Sequence, residues 1–149
     1  MSRTNNKKKY EPKAWEHDNR HKSKHYIRLY DSQLYSPAWL GLPHSAKFQY
    51  VILRSQYRDS VKQTDGNGNA MVKCPYSDIN KAGIGSNATI SKNFALLEAL
   101  GFITIIGGGF HVASQYKFSD KWKNITSADA KRIVKEAKNK TLKKANEDT

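Results

Sequence analysis

Cysteine and long apolar runs are scarce in this sequence of 149 residues. The single cysteine, Cys74, excludes a disulfide within the chain and a metal site built from several thiolates. No apolar stretch approaches the ~20 residues needed to cross a bilayer, and the N-terminal run MSRTNNKKKY lacks the apolar centre of a signal peptide. We therefore expect a soluble, cytoplasmic protein with no membrane partner.

Acidic residues are also few, 13 against 26 lysines and arginines, and the resulting net charge of +13 is concentrated at the two ends. Residues 1–28 hold nine basic and three acidic groups, residues 121–149 hold nine and four, and the segment between them holds eight and six. Such polycationic ends favour attraction of a polyanion, because each phosphate neutralised releases condensed counterions. The alternative is a pair of solvated tails that only maintain solubility.

The length suits one modest domain with extensions at both ends. Residues 1–25 are basic and poor in aliphatic groups, so they bury too little apolar surface to offset the entropy of ordering and are predicted to form a tail. Within that tail, Tyr10 and Trp15 either dock on the domain or stack on bases. Residues 26–122 are predicted to form the domain, and residues 123–149 a basic C-terminal helix or tail.

Apolar spacing in the first half of the domain predicts short, mixed elements. Residues 26–30 alternate in character, which is typical of a strand or an extended segment. The run SPAWLGLP has proline at both ends and permits at most one helical turn. We predict a helix near 44–62, a turn at DGNGN, residues 65–69, and a short strand over 70–75 that is stopped by Pro75.

Capping residues and glycines divide the second half into two helices and a hairpin. A short helix is predicted to begin at Ser77 as N-cap and to close at Gly83. A longer helix begins after Ser86 as N-cap and stops at Gly101. Two strand-like runs in FITIIGGGFHVASQYKF, separated by glycines 107–109, predict a β-hairpin.

The longer helix has one apolar face and one face of small side chains. Ile90, Phe94 and Leu97 define the buried face, and steps of 100° per residue place the small residues opposite. Small side chains let a helix backbone approach base edges, and short polar or cationic groups can bond to those edges. The outward residues include Ala88, Ser91, Lys92, Ala95 and Ala99, with Thr89 as a further polar group.

The run SNATISKNFALLEALGFI, with the element order around it, resembles the winged helix-turn-helix superfamily over residues 44–118. It is most similar to the recognition helix and wing of MarR-type and replication-initiator-type winged helices. There a Thr-apolar-Ser/Thr-Arg/Lys segment meets the groove, and a Leu-Glu-x-x-Gly-apolar-Ile/Val segment leads into the wing. The corresponding residues are Thr89, Ile90, Ser91 and Lys92, then Leu97, Glu98, Gly101, Phe102 and Ile103. The resemblance implies an α+β winged-helix domain that binds DNA.

Phosphate contacts are expected on either side of this helix. Ser86 and Asn87 lie at its N-terminus, where free N–H groups and the helix dipole attract an anion. Ser77 and Lys81 of the preceding helix are placed for backbone contacts that set register. The wing tip GGGFH departs from the family pattern because it has no Arg or Lys to enter a minor groove. Gly108 and His111 can approach a phosphate there, so we expect the wing to read little sequence and the basic tails to supply charge.

Catalytic chemistry has little support in the sequence. The acidic residues of the domain are scattered, and Cys74 has no neighbouring histidine. Glycines 107–109 lie between strands rather than before a helix, so they do not form a phosphate-cradling loop. His17, His21 and His25 recur every four residues but belong to the lysine-rich tail. We expect no enzymatic activity, no metal and no cofactor.

These observations predict binding of double-stranded DNA by a transcriptional regulator, or by a replication or DNA-processing accessory protein of a plasmid, phage or other mobile element. Other DNA-processing proteins are expected as further partners. Two alternatives remain open: binding of RNA or single-stranded DNA through the basic tails, and a winged helix that binds protein. The oligomeric state also stays open, because Ile133, Val134 and Leu142 do not form a heptad seam.

Overall fold

The computed structural model of the protein describes residues 27–57, 71–107 and 114–147 and has a mixed α+β architecture in these ranges, as predicted. The predicted tail over residues 1–25, with its three histidines, and the predicted turn at residues 65–69 lie outside the described residues. The α-helices are α1 Asp31–Leu34, α2 Pro37–Leu40, α3 His44–Gln56, α4 Tyr76–Lys81, α5 Asn87–Ala99 and α6 Ser127–Glu147. The strands are β1 Val72–Lys73, β2 Ile103–Ile106 and β3 Gln115–Phe118, and a 3₁₀ helix covers Lys121–Asn124.

The helical turn between the two prolines forms as predicted, and Ser36 connects it to the turn before it. The Ser36 hydroxyl accepts the backbone N–H of Trp39 at 3.2 Å and donates to the Gln33 carbonyl at 2.7 Å. Pro37 occupies the first helical position, where its missing N–H has no helical partner to lose. The preceding turn α1 was not predicted, because four residues are too few to establish a helical period.

Helix α3 ends at Gln56, so the prediction of a helix near 44–62 is wrong at its C-terminal end. Tyr57 is extended, with φ −76° and ψ 120°, and residues 58–62 lie outside the described ranges. The Tyr57 ring packs edge-on against Phe118 at 6.0 Å between centroids, and the Arg54 guanidinium lies 4.6 Å above the same Phe118 ring. These contacts hold the end of α3 against β3.

The three strands form an antiparallel sheet in the order β1-β3-β2. The predicted hairpin is present as β2 and β3, with Ile105 opposite Tyr116 and Ile106 opposite Gln115. Strand β1, which precedes both α4 and α5, pairs with the far side of β3, where Val72 faces Tyr116. The chain therefore passes through one strand, two helices and a hairpin, and the first strand forms the edge of the sheet opposite β2.

Aromatic contacts join α5 and the loop after it to the sheet and to α2. The Phe94 ring stacks on Tyr116 at 4.3 Å, and Trp39 meets Phe102 edge-on at 5.6 Å. Cys74 is buried in the same core, and desolvation together with the nearby Asp78 carboxylate raises the pKa of its thiol to about 11. A thiolate is strongly disfavoured there at neutral pH, so Cys74 acts as a packing residue.

Helix α6 begins with a reciprocal capping box and packs on the domain over its first turns. The Thr126 N–H donates to the Asp129 carboxylate at 3.2 Å, and the Asp129 N–H donates to the Thr126 hydroxyl at 3.1 Å. These hydrogen bonds lower the pKa of Asp129. Ala130 is buried, Val134 and Ala137 are half-buried, and described side chains from residue 138 onward are exposed. Among the described helices, none combines the length and apolar character needed to cross a bilayer.

Candidate nucleic-acid interface

Helix α5 has the two faces that its sequence predicts. Ile90 and Leu97 are inaccessible to solvent, and Phe94 is 2% exposed. We call the opposite, exposed side the α5 outer face and define it as Ala88, Ser91, Lys92 and Ala95. These four residues span two helical turns, and three of them have side chains no larger than serine. A partner can therefore approach the helix backbone closely along this face.

The N-terminus of α5 has the predicted cap. The Thr89 N–H donates to the Ser86 hydroxyl at 3.4 Å, and the two hydroxyl groups lie 3.3 Å apart. Thr89 is half-buried by this arrangement, whereas the neighbouring Asn87 is exposed. The Asn87 side-chain carbonyl accepts the Asn80 amide at 3.1 Å, which leaves the Asn87 amide nitrogen as its donor toward a ligand.

The turn between α4 and α5 is built from Gly83, Ile84 and Gly85. Gly83 has φ +88°, a left-handed conformation that glycine adopts without a steric penalty, and its N–H donates to the Asn80 carbonyl at 3.0 Å. Ile84 is buried and anchors the turn on the core. A buried apolar side chain between two glycines therefore sets the angle at which α5 leaves α4.

Ser77 is not the N-cap of α4, in contrast to the sequence prediction. The helix begins at Tyr76 with Pro75 as its N-cap, so Ser77 lies inside the first turn. The fixed φ of Pro75, −61°, combines with ψ 148° to start the helix two residues earlier than predicted. Ser77 and Lys81 are both exposed, one turn apart, and a helical period places them away from the buried Ile79.

A buried polar network between α3 and α5 was missed by the sequence analysis. The Gln49 amide nitrogen donates to the Ile90 carbonyl at 2.9 Å, and the Asn93 amide donates to the Gln49 carbonyl at 3.1 Å and to the Ser45 hydroxyl at 3.2 Å. Gln49 is inaccessible and Asn93 is 3% exposed. Because each buried amide needs partners, the network fixes the rotation of α5 about its own axis. Asn93 lies three residues after Ile90 and therefore on the buried face of α5. That position was the signal in the sequence for a buried polar residue.

Glu98, the acidic residue on α5, is directed toward the sheet. Its carboxylate accepts the backbone N–H of Ile105 at 2.7 Å, on the side of β2 that does not pair with β3. The carboxylate therefore satisfies an edge-strand donor. On α4 and α5 the remaining charges are Asp78, Lys81 and Lys92, so the interface region itself is close to neutral.

Positive charge is instead supplied by α6, which carries seven lysines and arginines against three acidic residues. The predicted wing residues Gly108 and His111 lie outside the described residues. The exposed side of α4, the capped N-terminus of α5 and the α5 outer face thus follow one another along the chain.

Searches against protein-family models, curated proteins and solved structures found no match for this chain.

Proposed function

We propose that the protein binds double-stranded DNA and that its domain is a winged helix-turn-helix in which α5 enters the major groove. The element order supports this assignment: α3, β1, α4 and α5 are followed by the β2–β3 hairpin, and β1 pairs with β3. In such an arrangement the sheet and the first helix support the helix that reads DNA. The hairpin is then the wing.

The α5 outer face is the observation that carries the proposal. A major groove about 12 Å wide admits a helix, and small side chains reduce the distance between helix backbone and base edges. Ser91 and Lys92 offer a hydroxyl and an ammonium group in the middle of the face, while Ala88 and Ala95 leave space beside them. Ser86 and Asn87 add polar groups at the positive end of the helix dipole, where a phosphate binds favourably.

The electrostatic part of binding is assigned to the chain ends. A net charge of +13 on 149 residues attracts DNA at long range, and each phosphate contact adds salt dependence. We therefore assign sequence reading to a nearly neutral helix and general affinity to the basic extensions. This division suits a cytoplasmic transcriptional regulator, or a replication or DNA-processing accessory protein of a mobile element that cooperates with other DNA-processing proteins.

Substitutions on the outer face test the proposal when specific and random duplexes are compared. A preferred duplex is first selected from a random pool with the full-length protein. Lys92→Ala and Ser91→Ala are each expected to weaken binding to it by ~1–3 kcal/mol more than binding to a random duplex, because base contacts are lost. Lys140→Ala, an exposed lysine near the end of α6, is the matched control and should weaken both duplexes equally. Fluorescence anisotropy at several salt concentrations measures the affinity of each variant for the selected and the random duplex.

Three results would contradict this function. An equal loss on both duplexes for Lys92→Ala would remove base reading from α5. Binding of single strands at least as tight as that of duplex, and insensitive to Lys92→Ala, would assign binding to the basic tails. Failure to bind any duplex at low salt would favour a protein-binding winged helix.

A further inference from the structure

A groove with a volume of about 430 Å³ opens between α2 and the first half of α6. Its floor is apolar and includes Pro37 and Leu40 from α2 and Val134 from α6. Leu40 is 62% exposed, a large fraction for a leucine that lines a concave surface. Apolar surface of this kind, concave and accessible, is typical of a site that accepts apolar side chains from a partner.

Three lysines line the α6 side of this groove. Lys131, Lys135 and Lys138 follow one another at spacings of four and three residues, so they form one row beside Val134. Leu142 lies one turn after Lys138 on the same side of the helix and is also 62% exposed. The row of cations and the apolar floor therefore run side by side along the helix.

The acidic residues of α6 do not neutralise this row. Asp129 and Glu136 pair with Arg132 at 3.8 Å and 3.4 Å, and a helical period places both carboxylates on the opposite side of α6. Glu147 falls on that opposite side as well. Helix α2, with the sequence PAWL, contributes no charge. The groove thus combines an apolar floor with a rim of cations that α2 and α6 leave uncompensated.

We propose that this groove docks an acidic amphipathic segment of a partner protein, independently of DNA binding by α5. Apolar side chains spaced three or four residues apart would occupy the floor, and carboxylates between them would meet the lysine rim. A second copy of the chain would bring the same three lysines to the interface, and like charges oppose that pairing. The N-terminal segment of this chain, with nine basic and three acidic groups in residues 1–28, is opposed for the same reason.

Nucleic acid is disfavoured as the occupant because of the groove floor. Phosphates would pair with the lysines but would leave the floor residues Leu40 and Val134 without apolar contacts. An acidic amphipathic helix can contact the apolar floor and pair with the lysine rim at the same time. The groove would let a DNA-bound copy of this protein recruit a partner that carries such a segment.

Selection from a random library of 16-residue peptides against the full-length protein tests this inference. Enriched peptides are expected to be net negative, with apolar residues at spacings of three and four. In anisotropy titrations with the best peptide, Lys135→Glu should weaken binding at least tenfold and Leu40→Asp should abolish it. Lys140→Glu, the same charge change on the opposite side of α6, should stay within twofold of the wild type. Circular dichroism and thermal unfolding confirm that the variants fold.

Any of the following outcomes would overturn the proposal. The library yields no binders, or binders without net negative charge. Leu40→Asp leaves peptide binding unchanged, or Lys140→Glu matches Lys135→Glu. Sedimentation equilibrium shows a dimer that Leu40→Asp dissociates, which would assign the groove to a second copy. Lys135→Glu weakens duplex binding far more than Lys140→Glu, which would assign the groove to DNA.

Discussion

Replacement of Ala95 by glutamate is expected to lower affinity for the selected duplex by at least about 100-fold while the domain stays folded. Ala95 is exposed at the C-terminal end of the α5 outer face, one turn after Ser91, where a small side chain would let the helix backbone approach base edges. A glutamate there enlarges the side chain in the closest contact and places a carboxylate between two phosphate backbones. Like charges brought together at an interface cost several kcal/mol, which corresponds to two or more factors of ten in affinity.

The matched control for this prediction is Ala128→Glu. Ala128 is exposed in the first turn of α6, and the substitution introduces the same residue and the same charge change. It should lower affinity only by the few-fold expected from a smaller net charge. Anisotropy titrations measure both variants, and circular dichroism confirms their folding. Similar losses in the two variants would mean that Ala95 has no special position relative to DNA.

Replacement of Gly101 by alanine is expected to destabilise the fold by about 2–5 kcal/mol. Gly101 has φ +86°, and the Gly101 and Phe102 N–H groups donate to the Glu98 and Leu97 carbonyls at 3.0 Å. This pair of hydrogen bonds is the Schellman arrangement that ends α5. A Cβ at this position would lie 2.5 Å from the Trp122 backbone nitrogen and 2.7 Å from the Lys121 carbonyl carbon. The substitution therefore adds backbone strain and also displaces the 3₁₀ helix.

Gly83→Ala separates the two effects. Gly83 has φ +88°, but a Cβ added there has no heavy atom within 4 Å. We expect Gly83→Ala to cost about 1–2 kcal/mol, from backbone conformation alone. Urea denaturation measures the loss in free energy of unfolding for each variant. The extra loss in Gly101→Ala over Gly83→Ala measures the steric cost of placing a Cβ beside the 3₁₀ helix. Equal losses would show that this approach is not tight in solution.

Local signals allowed much of α5 and the sheet to be predicted from sequence. The serine cap, the apolar period of Ile90, Phe94 and Leu97, and the glycine stop at Gly101 act within a few residues, so they are readable without tertiary knowledge. Alternation of side chains around glycines 107–109 likewise identified β2 and β3. The same helical period predicted the α5 outer face, because the residues opposite the buried face are exposed.

Features that depend on distant parts of the chain could not be predicted in the same way. Gln49 and Asn93 lie 44 positions apart, and their hydrogen bond exists only after α3 and α5 pack together. The end of α3 at Gln56 depends on the contact of the next residue, Tyr57, with Phe118. The direction of Glu98 depends on the unpaired side of β2. In each case tertiary contacts override a local pattern.

The polar network and Gly101 also have a functional consequence for the proposed DNA-binding helix. Gln49 and Asn93 fix the rotation of α5, and the Gly101 turn fixes its exit toward β2. A helix held from both sides can present the outer face in one orientation, which lowers the entropic cost of binding. Because that face carries a single charge, on Lys92, its selectivity depends mainly on shape and hydrogen bonds.

Backbone amide chemical-shift mapping during titration with the selected duplex tests the central claim most directly. If α5 enters the major groove, the largest shifts among described residues will occur from Ser86 to Ala95, with smaller shifts at Ser77 and Lys81. Amides of α2 will remain unchanged. Shifts confined to the basic ends of the chain, with α5 unaffected at saturating duplex, would contradict the proposal.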